Sequence, residues 1–286
     1  MASIRLLRGR IKSAKNIAQI TKAMELVSAS KMKKAQTAAL MGKAYAEKIH
    51  QMVMELSAKA GNSTHPLLSR PAVASGKKLT VLITTNKGLC GGLNTNMFRY
   101  IHKEYANLEK FDIITFGSKG AEFMTRIGGT VIADFSKEVP FVRHIPALIE
   151  LITREYIAGK YDGIEILFSE FISALRQTPV KRVILPLAID EEEQEAHQKQ
   201  SLDFVIEPNI EEVFDALLPH YLENQVRDAM LQAEASEHSA RMIAMRNATD
   251  NAKALIEGLT LMYNKARQEK ITYEISDMVT ARLAVE

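Results

Sequence analysis

Ile4-Arg5-Leu6-Leu7-Arg8-Gly9-Arg10-Ile11-Lys12-Ser13-Ala14-Lys15-Asn16-Ile17-Ala18 is the stretch that decides the fold of this chain. Ile4, Leu7, Ile11, Ala14 and Ala18 recur at alternating three- and four-residue steps, the spacing of a coiled-coil seam. The apolar stripe then changes phase to Ile17, Ile20, Met24 and Val27, which predicts a seam that rotates around the helix. Ser3 reads as its N-cap. Carried to about residue 58, such a helix spans roughly 80 Å.

The far end of the chain repeats the pattern with smaller residues. Leu222, Val226, Ala229, Ala233, Ser236, Ala240 and Ile243 keep the spacing, and after a one-residue slip Ala248, Ala252, Leu255, Leu259, Met262 and Ala266 continue it. Pro208 and Asn209 lead into this helix, with Glu211 and Glu212 suiting its positive start. Pro219, a few turns in, is expected to kink or interrupt it. Breakers are otherwise kept out of both ends. All eight prolines lie between Pro66 and Pro219, residues 1–60 hold only Gly9 and Gly42, and residues 209–286 hold only Gly258. A proline inside a helix costs roughly 3 kcal/mol, so this placement marks two long helices. Their apolar stripes are most simply buried against each other, antiparallel, with a different kind of domain between their distal ends.

Residues 77–190 have the rhythm of an α/β sheet. Strands are predicted at 79–85, 111–117, 130–135, 163–171 and 180–187, and helices at 94–109, 118–127 and 145–158. The acidic run at 190–195 reads as a solvated loop. Between the first strand and its helix stands Lys87-Gly88-Leu89-Cys90-Gly91-Gly92-Leu93-Asn94. Glycines at a helix start can cradle a phosphate on free N–H groups. The run matches neither G-x-G-x-x-G nor the Gly-Lys-Ser/Thr ending of a P-loop, and no acidic residue ends the second strand to hold a ribose. Three readings stay open: a structural turn or docking surface, an anion site, or Cys90 as a nucleophile without an identifiable base.

Composition narrows the function classes. With 47% apolar and 25% charged residues the chain is expected to be a soluble folded protein with a real core. No apolar run approaches the roughly 18–20 residues of a membrane span, and no signal-peptide core is visible. One cysteine excludes an internal disulfide framework, and the seven histidines show no metal-ligand spacing. A cytoplasmic protein with neither metal nor cofactor is the expectation. The net charge of +3 is unevenly placed, because residues 1–60 carry 12 Lys/Arg against Glu25, Glu47 and Glu55. That basic end points to an acidic partner surface. Its densest part is Thr21-Lys22-Ala23-Met24-Glu25-Leu26-Val27-Ser28-Ala29-Ser30-Lys31-Met32-Lys33-Lys34-Ala35-Gln36. No aromatic residue precedes Tyr45, so bases have no stacking platform, and the Ala/Ser/Met face is unlike a membrane-surface helix. A solvated lysine face and an acidic protein partner remain, and nucleic acid is not expected.

These residues resemble the gamma subunit of F-type ATP synthases, of the bacterial type, across nearly the whole chain. The resemblance rests on Ile20-Thr21-Lys22-Ala23-Met24-Glu25 with Ser28-Ala29-Ser30-Lys31-Met32, and on Gly88-Leu89-Cys90-Gly91-Gly92-Leu93-Asn94. It rests equally on Ser236-Glu237, Ala240-Arg241-Met242, Met245, Ala248-Thr249-Asp250-Asn251, Tyr263-Asn264-Lys265-Ala266-Arg267-Gln268 and Ile271-Thr272-Tyr273-Glu274. Two departures stand out. Asn86 and Lys87 stand where an acidic and a basic residue usually begin the turn, and Ala281-Arg282 stands where a Gly-Ala pair is usual.

The resemblance implies an α/β fold class: a long antiparallel coiled coil of the N- and C-terminal helices (1–60 and 209–286) with a central Rossmann-like α/β domain (77–190). It implies the non-catalytic central rotor stalk of the proton-translocating enzyme, one copy per complex, peripheral on the cytoplasmic face of the cell membrane. Partners would be the alpha and beta subunits of the catalytic hexamer, the epsilon subunit and the c-subunit ring. By matched position, Thr21, Lys22 and Met24 would lie where the N-terminal helix meets a beta subunit. Arg267 and Gln268 would form a polar catch with a beta-subunit loop. The five fixed donors of Arg267 suit a carboxylate, so Arg267→Lys would not be conservative. The competing expectation is an α/β nucleotide-binding enzyme oligomerised by a coiled coil.

Overall fold

The computed structural model describes all residues except 1–3, 61–64, 70–73, 106–109, 138–139, 188–206, 208 and 284–286. Ser3, Pro208 and the acidic run at 190–195 thus lie outside the described residues. Helix α1 is Ile4–Ala60 and the last helix, α5, is Ile210–Leu283. Between them run β1 (Lys78–Ile83), α2 (Leu93–Glu104), β2 (Phe111–Phe116), α3 (Ser118–Arg126), β3 (Thr130–Asp134), a 3₁₀ turn (Phe141–His144), α4 (Ile145–Ile157), β4 (Gly163–Phe171) and β5 (Gln177–Leu185). Contacts gather into two units, Met1–Ala29 with Arg241–Glu286, and Ser30–Ala240.

In the larger unit the sheet order is β3-β2-β1-β4-β5, parallel except for β5, which runs antiparallel to β4. Both faces are covered, so β1 and β4 read as near-continuous apolar runs rather than alternating ones. One face packs Leu79, Val81, Ile83, Ile164, Ile166 and Phe168 against α4. The end of α1 (Ile49, Val53, Leu56) and the start of α5 (Phe214, Leu218, Leu222, Val226) close the same core. The other face packs Leu82, Ile113 and Leu167 under α2 and α3. Strand β5 begins three residues earlier than its apolar run predicts, at Gln177, and takes in Pro179. A proline is tolerated there because β5 is the sheet edge, where alternate N–H groups lie off the ladder.

The α/β unit buries two carboxylates among its described residues: Asp112 on β2, which accepts from Tyr161 Oη at 2.8 Å, and Glu165 on β4. Glu165 accepts hydrogen bonds from Tyr105 Oη and, at 3.1 Å, from Thr80 Oγ1. Burial and the neighbouring carboxylate push the Tyr105 phenol well above its ordinary range, so it stays a donor. Tyr105→Phe is expected to lower stability by about 1–3 kcal/mol, the cost of removing a buried acceptor's partner, measurable by urea denaturation.

The β4–β5 hairpin is clasped to α5 by two serines that are fully buried. Ser236 Oγ donates to the Ser169 carbonyl at 2.8 Å, and Ser239 Oγ donates to the Ala174 carbonyl at 2.7 Å. Small residues there let the hairpin approach closely, and their hydroxyls satisfy its free carbonyls. Helix α5 starts on an N-cap, with Asn209 Oδ1 accepting the Glu212 N–H at 2.8 Å and Asn209 Nδ2 donating to Glu212 Oε1. Contrary to expectation, Pro219 does not interrupt it. The apolar contacts of Phe214, Leu218 and Leu222 hold the turns on either side, which offsets the one lost backbone bond.

In the smaller unit α1 and α5 run antiparallel. Arg8 Nη2 donates to Tyr263 Oη at 3.0 Å, the Thr21 and Thr249 hydroxyls are 2.7 Å apart, and Arg246 Nε donates to Glu25 Oε1 at 3.1 Å. As the residue number rises along α1 it falls along α5 by the same number to within one residue, so the register holds through this unit.

The predicted change of phase is corrected here. Within this unit 4, 7, 11, 14, 18, 21, 25 and 28 of α1 are buried or half-buried and form one unbroken heptad stripe, with Met24 and Ala29 half-buried beside it. It continues in phase through the polar residues Thr21, Glu25 and Ser28, while Ile17, Ile20 and Val27 stay 53%, 59% and 57% exposed. On α5 the inner positions are Met245, Thr249, Ala252, Ile256, Leu259 and Tyr263, and Leu255 and Met262 face outward. Hydrophobicity marked the wrong stripe because polar side chains can occupy a seam once they are hydrogen-bonded in it.

Candidate functional site

Two places were candidates, the glycine-rich turn and the coil. The turn follows β1, next to the boundary between β1 and β4 where strand order reverses, the usual ligand crevice of an open α/β sheet. Its residues are spent on structure. Asn94 Nδ2 donates to Thr85 Oγ1 at 2.7 Å and lies 3.6 Å from the buried Cys90 Sγ, tying the helix start back to the strand. A Cβ on Gly88 or Gly91 would meet nothing within 4 Å, so these glycines do not enclose a cradle; Gly91 is required by its φ of +58.

The neighbouring helix start, that of α3, is closed as well. The N–H groups of Ser118, Lys119 and Gly120 go to Asn86 Oδ1, the Thr85 carbonyl and Thr84 Oγ1. The end of β1 thus caps α3, and Asn86 does so without a charge. This accounts for a neutral residue at the position where the resemblance expects an acid, since Asn and Asp are equivalent caps. Asn86→Ala should cost about 1 kcal/mol, and Asn86→Asp should cost almost nothing, both read from thermal unfolding. Among the described residues no group of His, Cys, Asp and Glu could hold a metal.

On the coil, the polar stretch of the seam forms a clasp. Thr21 is buried, back-bonded to the Ile17 and Ala18 carbonyls and facing Thr249, whose own hydroxyl donates to the Met245 carbonyl. One turn on, the buried Glu25 spreads its carboxylate over two cations. Oε2 takes Lys22 Nζ at 3.0 Å and Oε1 takes Arg246 Nε at 3.1 Å. The Lys22 hydrogen bond, more than the opposing burial, holds the Glu25 carboxyl below its usual range, with Arg246 adding to the effect. The clasp's contribution is therefore complete above the ordinary carboxylate pKa and is lost as pH falls through the lower folded value.

The sequence-predicted residues are placed as follows. Thr21 faces the partner helix. Lys22 is half exposed, its ammonium on Glu25, and Met24 is half-buried at the edge of the outward stripe Ile17, Ile20 and Val27. Arg267 and Gln268 are exposed on α5. Since Tyr263 meets Arg8, Arg267 stands level with Ile4, where α1 begins. Beyond it residues 268–283 are exposed on every side. The two groups are not brought together. About twenty residues of helix, some 30 Å, separate them along the coil. Further along the lysine run, Lys31 and Lys34 stand near Glu234 and help His238 hold its carboxyl low. Glu25, Arg246 and Thr249 were not among the candidates. Glu25 carried a signal, a charged residue at a position where the three–four spacing demands an apolar one; Arg246 and Thr249 carried none.

Comparison with known proteins agrees with this arrangement. The sequence model of the ATP synthase family described as "ATP synthase" matches residues 3–285. The ATP synthase gamma chain of Methylacidiphilum infernorum is 40% identical over 296 residues, covering all of both chains. That of Desulforamulus reducens is 40% identical over 288 residues, again covering both completely. Among solved structures, a chain of the central stalk and c-ring of the Tetrahymena thermophila mitochondrial ATP synthase matches at 25% identity and a TM-score of 0.60, over 80% of this chain and 99% of that one. A chain of the Euglena gracilis OSCP/F1/c-ring assembly shares the fold with a TM-score of 0.67 at 22% identity, over 99% of this chain and 94% of that one. An antiparallel coil with a hydrogen-bonded polar seam, a five-stranded α/β sheet and end-to-end identity with named gamma chains lead to one assignment. The chain belongs to the ATP synthase gamma-chain family.

Proposed function

We propose that this protein is the central rotor stalk of a proton-translocating F-type ATP synthase, present once per complex and carrying no catalytic step itself. The observation that carries the reading is the 40% identity to gamma chains over the full length of both chains. Rotation of the membrane ring of c subunits would present different faces of the coil to each catalytic beta subunit in turn. Each face makes different contacts, so each beta subunit is held at a different affinity for nucleotide, a population shift driven by differential binding.

In this reading Met24 and the exposed stem of Lys22 meet a beta subunit, with Thr21 fixing the seam behind them, and Arg267 and Gln268 form the catch where the two-helix coil gives way to the single helix of α5. The α/β unit binds the epsilon subunit and contributes to the seat on the ring. The stalk would sit peripherally on the cytoplasmic face of the cell membrane; no helix among the described residues is long and apolar enough to cross a membrane. The test is reconstitution with bacterial alpha and beta subunits. A complex holding one copy of this chain with ATPase activity is the expected result. Absence of any such complex, with tight nucleotide binding by the isolated chain, would favour the α/β enzyme instead.

A further inference from the structure

Glu25 is a charged side chain at a seam position, and both its oxygens are engaged by cations from different helices, Lys22 on α1 and Arg246 on α5. Lys22 itself is half exposed and points its ammonium to the seam rather than away from the coil. From these contacts we infer that Glu25 is a positioning residue that turns the Lys22 ammonium inward and neutralises it. What α1 offers outward at this level is then the uncharged stripe of Ile17, Ile20 and Val27, with Met24 at its edge. Arg246 pins the carboxylate from the second helix, so Glu25 cannot swing out with Lys22.

The consequence concerns adhesion. The basic N-terminal segment favours an acidic partner. A free ammonium beside the stripe would form an ion pair with a carboxylate of that partner at each dwell, and that pair would have to break at each step. Glu25 removes the competition by being closer and already fixed. The inference rests on the proposal that this face of α1 meets the catalytic collar.

The test is a double-mutant cycle in the reconstituted alpha–beta–gamma enzyme, with E25Q, K22Q and E25Q/K22Q compared at low and high salt. Glutamine keeps the shape of Glu25 and an acceptor for Arg246 but releases Lys22. ATP hydrolysis by E25Q should fall about two- to fivefold at low salt, the range of a single exposed ion pair, and should recover as salt screens it. The double variant should match K22Q within about a factor of two, showing that the loss runs through Lys22. A double variant slower than K22Q by more than that factor, or a loss in E25Q indifferent to salt, overturns the inference.

Should E25Q fail to assemble, E25D carries the same test. Drawing the carboxylate back by one methylene should give a smaller salt-sensitive loss that K22Q removes, and a loss that K22Q leaves in place is again decisive against it. A wild-type chain that forms no active complex would count against the stalk reading. An active wild type whose E25Q defect ignores Lys22 counts against this inference alone.

Discussion

Met24→Lys should leave an assembled enzyme that hydrolyses ATP while pumping few protons. Met24 is half-buried at the edge of the outward apolar stripe, and its thioether is a soft contact that adapts to a moving neighbour. A lysine there has no carboxylate waiting for it, because Glu25 is already held by Lys22 and Arg246. In the proposed complex its ammonium would be desolvated against the collar or drawn to a collar carboxylate, and breaking such a buried pair costs about 3–5 kcal/mol. A contact of that size at one angular position is enough to disconnect the rotor's steps from the catalytic cycle, yet it lies outside the seam and leaves the coil's own packing intact. The measurement is proton transport and ATP hydrolysis by the same reconstituted vesicles. The ratio of the two should collapse, and a wild-type ratio in the variant would refute the placement of Met24.

Gly117→Ala should be the most damaging single methyl in the α/β unit. Gly117 joins β2 to α3 with a φ of +103, and a Cβ there would lie 2.3 Å from the Thr84 carbonyl oxygen and 2.7 Å from Thr84 Oγ1. Backbone strain and a clash against immovable backbone together cost about 3–5 kcal/mol. In a unit of this size that lowers the unfolding midpoint by about 10 °C. The turn glycines serve as controls. Gly88→Ala meets open space and should be nearly silent. Gly91→Ala pays only for its positive φ, about 1–2 kcal/mol. Thermal unfolding followed by circular dichroism gives all three, and an order other than Gly117, Gly91, Gly88 would contradict the geometry. The glycine that matters structurally is thus outside the glycine-rich motif that draws the eye.

The two long helices and the alternation of the middle segment were legible because helix breakers and hydrophobic runs act locally. A proline-free, glycine-poor stretch with three–four spacing has one good way to bury its stripe. The parallel strands showed as short apolar runs because they are covered on both faces. Pro179 hid the start of β5, since only the sheet order reveals that it sits on an edge strand. The residues of the coil surface came from resemblance rather than periodicity; Glu25 and Thr249 stood in the resembling runs without a role, and Arg246 stood in neither.

What the sequence determined by itself was therefore the kind of element at each place and the antiparallel pairing of its ends, since these follow from backbone propensity and from the apolar surface each segment must bury. What only the tertiary structure decided was which stripe of α1 faces α5. Over residues 17–28 the sequence offers an apolar stripe of Ile17, Ile20, Met24 and Val27 and a polar one of Thr21, Glu25 and Ser28. Hydrophobicity favours burying the first. The fold buries the second because Thr249 and Arg246 arrive from more than two hundred residues away to complete its hydrogen bonds, and a polar group satisfied inside the coil no longer needs water.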